Sequence, residues 1–263
     1  MLRNEDLDRD RCRPEFVTAM LEDLRWFGFQ WQEGPDCGGP CGHYSQSERR
    51  TFYIGAFERL RAGGFIYPCK CSRRDVERAM QAPHQGDEEP VYPGTCRENI
   101  ELVEANERWR PAAVLPPSND AQGSEPKVSW RFRVPDGETI SFLDGGVGPQ
   151  SFVSGKDFGD FVVWRHDDVP AYQLAVVVDD AAMRISEVVR GQDLLLSTAR
   201  QILLYRALGL NLPAFYHCTL MTDRDGVRLA KRHDSLSLRT LRAQGKTPDS
   251  LRAMDEYRGP VVS

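Results

Sequence analysis

Residues 171–191, AYQLAVVVDDAAMRISEVVRG, constrain the fold of this chain more than any other stretch. The apolar run 174–178 stops abruptly at Asp179-Asp180. A second, β-branched run over 185–189 stops at Arg190-Gly191. Short apolar runs that end at charge read as buried parallel strands whose C-terminal ends carry polar groups. Open α/β sheets bind their ligands at such ends. The segment therefore predicts an α/β fold with two buried strands here, and with Asp179, Asp180 and Arg190 at a ligand-facing edge.

A chain of 263 residues is long enough for one large α/β domain or two small ones. Its 40% hydrophobic and 28% charged content is ordinary for a soluble globular protein. No apolar run approaches the ~20 residues needed to span a bilayer. The N-terminus shows no basic region followed by an apolar one. The expectation is a cytoplasmic protein with no membrane partner. A net charge of −5 argues against non-specific nucleic-acid binding. Even so, Arg228, Lys231, Arg232, Arg239, Arg242, Lys246 and Arg252 crowd the C-terminal part. They read either as an RNA-contacting patch or as a solvated helical face. Seven cysteines, expected to be reduced, make spacing more informative than pairing.

Local patterns predict the remaining elements. Residues 14–27 form a helix, with Pro14 in its first turn, Phe16, Met20, Leu24 and Phe27 on one stripe, and Gly28 as its stop. A second helix covers 47–62, with contacts from Phe52, Tyr53, Ala56, Phe57 and Leu60 and a stop at Gly63-Gly64. A short helix lies near 72–81. The Pro-, Ser- and Gly-rich stretch 111–127 reads as a loop with little order. Residues 128–134 alternate as a strand, and 139–143 return as its hairpin partner across Pro135-Asp136-Gly137. Another strand covers 161–165. Ser197 caps a helix that runs to Leu208, with Gly209 after it.

Two clusters carry chemistry. The first is Cys69-x-Cys71, then, after twenty residues, Tyr92-x3-Cys96. Three thiolates suit Zn²⁺, which is four-coordinate in structural sites. From the residues alone the fourth ligand is open among Tyr92, His84 and Glu98, and three unrelated cysteines are the competing reading. Zinc here would stabilise a small lobe that buries too little apolar surface to hold itself. A second group, Cys37-x3-Cys41-x-His43, lacks a fourth ligand and is not read as a metal site. Cys12 and Cys218 read as packing residues. The second cluster is DRDGVRLAKR over 223–232, a turn at Asp225-Gly226 followed by a basic loop.

Four segments together resemble the catalytic core of the glutamyl-tRNA synthetases, and most closely their shortened glutamyl-Q tRNA(Asp) relatives. They are the stretch 171–191, Arg3-Asn4-Glu5-Asp6, the Cys69/Cys71/Tyr92/Cys96 cluster and the basic loop. The resemblance covers most of residues 1–245. It implies a Rossmann-type class I synthetase catalytic domain, α/β in class, with a small inserted zinc-binding lobe. Residues 1–64 would be the N-terminal part of the catalytic domain and 65–110 the zinc-binding insertion. A flexible loop would follow at 111–127, the rest of the catalytic domain at 128–220, and a KMSKS-like loop with a tRNA-contacting segment at 221–263. The implied reaction joins glutamate and Mg-ATP into glutamyl-adenylate, with release of pyrophosphate. The glutamyl group then passes to queuosine in the anticodon loop of tRNA(Asp), with the protein acting as a monomer.

The resemblance also assigns roles. Glu5, Tyr172 and Arg190 line the glutamate pocket. A planar guanidinium matches a carboxylate, and a carboxylate beside an α-ammonium is chemically apt. Lys231 is the catalytic lysine, stabilising charge on the departing pyrophosphate, and Arg228 joins it in holding ATP. Tyr92 completes the zinc set with Cys69, Cys71 and Cys96. The sequence departs from the KMSKS pattern at Arg228, where a lysine is usual, and at Ala230, where a serine is usual. Glu98 stands where bacterial glutamyl-tRNA synthetases tend to have histidine. An HIGH-type strand–helix turn is not found in the 263 residues. It is expected upstream of Met1 if the gene start is misassigned, and its loss would otherwise mark a decayed derivative. About thirty residues follow Lys231, which implies a mode of tRNA engagement without helical anticodon-binding domains. The rival readings are a glutamyl-tRNA synthetase cut short at both ends and a non-catalytic RNA-binding remnant.

Overall fold

The computed structural model describes residues 1–8, 12–72, 74–76, 91–113, 128–220 and 237–253. Helix α1 (Pro14–Phe27) follows its sequence signals. Pro14 occupies the first turn, and Gly28 closes the helix at φ 102°, a left-handed conformation that suits glycine. None of its residues is fully buried. A short 3₁₀ turn, Gln46–Glu48, leads into α2 (Arg50–Ala62). Tyr53, Ala56, Phe57 and Leu60 of α2 enter the core, whereas Phe52, expected among these contacts, is exposed beneath the guanidinium of Arg49.

Among the described residues the strands form two sheets. The first is antiparallel, in the order β1 (Ile66–Cys69), β2 (Ser129–Phe132), β5 (Phe161–Trp164). The second is mixed, in the order β4 (Gly148–Val153), β3 (Thr139–Asp144), β7 (Ala214–Cys218), β6 (Glu187–Gly191). In that sheet β4 runs antiparallel to β3, while β3–β7 and β6–β7 are parallel pairs. Helix α3 (Ile100–Ala105), capped by Asn99, precedes β2. Helix α4 (Tyr172–Ala182) lies between β5 and β6. Helix α5 (Leu195–Leu208) links β6 to its parallel neighbour β7, a βαβ crossover. Two short helices, α6 (Leu238–Ala243) and α7 (Pro248–Arg252), follow. Among the described residues no helix is long and apolar enough to cross a membrane.

Three sequence expectations are corrected. The run 174–178 is not a strand but the body of α4. Every residue from Leu174 to Asp180 is buried, so the helix has no polar face and its period of 3.6 is invisible in the sequence. Asp179 and Asp180 accordingly sit on a helix rather than at a strand end. Second, residues 139–143 do not return as a hairpin on 128–134. β2 pairs with β1 and β5, and β3 pairs with β4 and β7, in different sheets. The turn chemistry at 135–137 bends the chain from one sheet into the other. The tight return lies instead between β3 and β4, where Asp144 pairs with Gly148 at φ 76°. Third, α5 begins at Leu195, and Ser197 lies inside it, accepting a hydrogen bond from Gln173 Nε2 at 3.0 Å. Its end at Gly209, φ 62°, and the strand at β5 match the sequence reading.

The core gathers α2, β2, β5, α4 and α5 around Phe57, whose ring meets Trp109, Trp130 and Trp164 at centroid distances of 5.2–5.7 Å. A smaller, separate cluster holds Tyr67, Cys69, Val76, Tyr92 and Cys96.

Candidate active site

Arg190 is the hub of the site. It lies one residue before the end of β6, on the same side of the strand as half-buried Val188, opposite His217 on β7 in the parallel register. Its Nε–H donates to His217 Nε2 at 3.2 Å. Nη2 donates to Thr198 Oγ1 at 2.6 Å and to Gln201 Oε1 at 2.8 Å, and Nη1 to the Tyr172 hydroxyl at 3.3 Å. Thr198 and Gln201 lie three apart on α5 and so share one face of that helix. Gln201 Nε2 in turn donates to Gln173 Oε1 at 2.9 Å, which ties the first turn of α4 to α5. Among the described residues, four of the five guanidinium N–H groups thus find partners, and the remaining one is the second N–H of Nη1.

The N-terminal segment reaches the same place. Arg3 donates from Nη1 to Asp180 at 2.5 Å and pairs through Nη2 with Glu5 at 3.0 Å. Burial works against the Arg3 charge, but Asp180 and Glu5 outweigh it and raise its pKa above the ordinary value. Burial also pushes the Asp180 carboxyl up, against the pull of Arg3. Asn4 bridges Ser45, and Asp6 accepts from the backbone N–H and hydroxyl of Ser47 at 2.9 and 2.6 Å. Asp179 is the buried anchor beneath, accepting from Arg49 Nε at 2.7 Å, Tyr53 at 2.8 Å and Gln46 at 2.9 Å. The Tyr172 hydroxyl is raised in pKa by burial. Arg190 opposes that shift and Glu5 adds to it, so all three residues share one electrostatic neighbourhood. The structure therefore brings Glu5, Tyr172 and Arg190 together. Arg228 and Lys231 lie outside the described residues.

Several residues of the site escaped sequence reasoning: Asp180 as the partner of Arg3, and Thr198, Gln201, His217 and Asp144 around Arg190. A signal was present. Ser197, Thr198, Arg200 and Gln201 are polar residues buried in a helix that otherwise faces the core. Buried polar side chains need partners.

The cysteine cluster sits at the other sheet. Cys69 ends β1, and its Sγ is 3.3 Å from the Tyr92 hydroxyl. Cys71 Sγ is 3.7 Å from that hydroxyl and 3.5 Å from Cys96 Sγ. The three sulfurs lie within 4.8 Å of one another, as the donors of a tetrahedral site with ~2.3 Å Zn–S bonds must. The hydroxyl of Tyr92 also accepts the Cys96 backbone N–H at 2.9 Å. Burial and the neighbouring Cys69 raise the pKa of Tyr92, and burial pushes Cys71 up to about 11. Three thiols and a phenol gathered this closely are the donor chemistry of a structural zinc site, so the set fits a zinc ion. Glu98 turns away to pair with Arg133 at 3.1 Å, and His84 lies outside the described residues. Among the described residues, Cys37, Cys41 and His43 form no such group.

Of the C-terminal basic residues that are described, Arg239 pairs with Glu22 and Asp23 of α1. The guanidiniums of Arg242 and Arg252 lie over the Trp26 and Phe27 rings, and Arg252 also donates to the Phe27 carbonyl. They fasten α6 and α7 to α1.

Residues 1–259 match the family described as tRNA synthetases class I (E and Q), catalytic domain, and the chain belongs to that family. Among individual relatives it is 50% identical to the glutamyl-Q tRNA(Asp) synthetase of Symbiobacterium thermophilum, covering 95% of this chain and 73% of that one. It is 46% identical to the protein of the same name from Nitratidesulfovibrio vulgaris, covering 93% and 71%. It is also 44% identical to glutamate–tRNA ligase 2 of Nitrosococcus oceani, covering 95% of this chain but 50% of that one. The solved glutamate-tRNA synthetase of Elizabethkingia anophelis superposes with a TM-score of 0.66 at 28% identity, over 90% of this chain and 46% of its own. The chain thus spans about half the length of the glutamate–tRNA ligases it matches.

Proposed function

We propose that this protein activates glutamate with ATP and transfers it to queuosine in the anticodon loop of tRNA(Asp). The observation that carries the reading is the convergence of Glu5, near the N-terminus, with Tyr172 and Arg190 from successive elements far along the chain. The remaining Arg190 Nη1–H and the Tyr172 hydroxyl supply donors for a carboxylate of glutamate. The Glu5 carboxylate, half-exposed beside Arg3, accepts from the α-ammonium. In the first step a glutamate carboxylate oxygen attacks the α-phosphorus of Mg-ATP and pyrophosphate leaves. Lys231, with Arg228, balances charge on the departing phosphates. In the second step the glutamyl group passes to queuosine and AMP leaves. The names of the Symbiobacterium and Nitratidesulfovibrio relatives support the queuosine acceptor.

Zinc, when bound, supplies a structural cross-link. Cys69, Cys71, Cys96 and Tyr92 would hold it, tying the end of β1 to residues 92–96 in a lobe spanning 65–110. That lobe is flanked by the catalytic parts 1–64 and 128–220, with the 111–127 loop between, and followed by a KMSKS-like and tRNA-contacting segment over 221–263. The protein acts as a cytoplasmic monomer.

The test is charging with radiolabelled glutamate. Label should accumulate on tRNA(Asp) that carries queuosine, and on neither unmodified tRNA(Asp) nor tRNA(Glu). Preferential charging of tRNA(Glu) would replace this reading with a glutamate–tRNA ligase.

A further inference from the structure

Behind Arg190 lies a buried couple that the pocket itself does not use. Asp144, at the end of β3, and His217, on β7, are both almost fully enclosed, and His217 Nδ1 lies 2.5 Å from Asp144 Oδ2. The other carboxylate oxygen accepts the backbone N–H groups of His217 at 3.0 Å, Gly146 at 2.9 Å and Val147 at 3.1 Å. A carboxylate that accepts three backbone N–H groups is committed to its ionised form. Consistently, although burial opposes it, the hydrogen bonds from His217, Gly146 and Val147 bring its pKa down to about 2. Both oxygens are therefore acceptors, and His217 Nδ1 must carry the proton. Its Nε2 faces the Nε–H of Arg190 at 3.2 Å, a donor that only a bare lone pair can accept, so the ring is the neutral Nδ1–H tautomer. The Thr198 hydroxyl, 3.1 Å from the same Nε2, accepts from Arg190 Nη2 and donates to the Leu194 carbonyl at 3.2 Å.

We infer that Asp144 and His217 are positioning residues for substrate recognition: Asp144 fixes the His217 tautomer, and neutral His217 clamps the Arg190 guanidinium so that its Nη1 end is presented beside Tyr172. The inference rests on the reading of Arg190 as the carboxylate-binding group. The chemical reason for a histidine is specific. A neutral imidazole accepts an N–H without adding charge, so the guanidinium keeps its full charge for the ligand. A carboxylate in the same place would neutralise it, and a lysine would repel it. The parallel register of β6 and β7 sets Arg190 and His217 directly abreast, and the single β3–β7 pairing brings Asp144 to the same end of the sheet.

Two measurements on the full chain test this. Nitrogen-15 NMR of the histidine side chains, with His217 assigned by its loss in His217→Gln, should show Nδ1 protonated and Nε2 bare. Asp144→Asn, which can donate where Asp144 could only accept, should invert that pattern. A protonated Nε2 in the unaltered protein would overturn the inference, whether or not glutamate binds. Calorimetric titration with L-glutamate supplies the second readout. His217→Leu should weaken binding by at least about tenfold, because the guanidinium loses its anchor. His217→Gln, which keeps an acceptor near the Nε2 position, should stay within about threefold of the unaltered protein. Equal affinity of a folded His217→Leu variant and the unaltered protein would refute the clamp. Absence of glutamate binding by the unaltered protein would instead strike at the pocket itself, leaving the tautomer measurement to decide the clamp. Should His217→Leu not fold, the tautomer in the unaltered and Asp144→Asn proteins carries the decision.

Discussion

Arg3 and Asp180, 177 positions apart in sequence, are joined at 2.5 Å, and that bond decides where Glu5 lies. Arg3 is shared between the two carboxylates, so the N-terminal segment is tethered to α4 through a largely buried ion pair. Asp180→Asn leaves Arg3 with Glu5 at 3.0 Å and the more distant Asp179 at 3.9 Å as partners, and the loss of its shortest charged hydrogen bond should cost about 1.5 kcal/mol, a fall of roughly 4 °C in melting temperature. Thermal unfolding followed by circular dichroism checks this. A shift of less than a degree or two would mean that the tether does not bear on stability.

Arg190→Lys tests the hub. One ammonium cannot meet His217, Thr198, Gln201 and Tyr172 together, and it lacks the planar fork that a carboxylate matches. Glutamate affinity should fall by about 10- to 100-fold. Tyr172→Phe removes a single hydroxyl and should cost about tenfold or less. Titration of both variants with glutamate gives the order.

The cysteine cluster should carry one zinc per chain, measurable by elemental analysis after gel filtration. Cys71→Ser should abolish retention and Tyr92→Phe should weaken it, while Glu98→Gln, whose parent side chain pairs with Arg133, should leave it unchanged. Tyr92 and Cys71 are held protonated above their ordinary ranges, so zinc uptake must release protons, and lowering the pH must favour zinc loss. Gly159→Ala provides a check from outside the cluster. A Cβ there would lie 2.7 Å from the Tyr92 carbonyl oxygen and 2.9 Å from its nitrogen, so the Tyr92 backbone must shift and zinc affinity must drop.

Acid stability follows from Asp144. Its folded-state pKa, about 2, lies below that of an unfolded carboxylate. The stabilisation it provides is therefore complete above about pH 4 and is lost as the pH falls toward 2. Denaturant melts across that interval should show stability declining with acid, and the decline should be shallower in Asp144→Asn. Equal slopes in the two proteins would contradict the assignment.

How much of this was legible in the sequence depends on where each signal came from. Helix α1 was readable from end to end, because an exposed helix must show its stripe and its caps: Pro14 opens it and Gly28 closes it. Helix α4 was not, because a helix buried on every side presents the same unbroken apolar run as a core strand. Pairing across sheets was also illegible. Residues 135–137 carry turn residues, but nothing local says whether a turn folds a strand back or sends it into another sheet. The site divides in the same way. Glu5, Tyr172 and Arg190 were found through motif resemblance, and the structure brings them together. Their supports, Arg3–Asp180 and Asp144–His217, are contacts between remote segments that no local pattern encodes. Lys231 and Arg228 lie outside the described residues, so their assigned roles rest on resemblance; His84, the alternative zinc ligand, lies outside them too.

The proposed glutamate pocket of Arg190, Tyr172 and Glu5 is probed by titrating the full chain with L-glutamate alongside glutaric acid, which keeps both carboxylates and lacks the α-ammonium. L-Glutamate should bind saturably, with binding abolished by Arg190→Ala, and glutarate should bind more weakly by about tenfold or more, with Glu5→Gln erasing the difference. Equal binding of the two compounds, or glutamate binding that survives Arg190→Ala, would contradict the pocket.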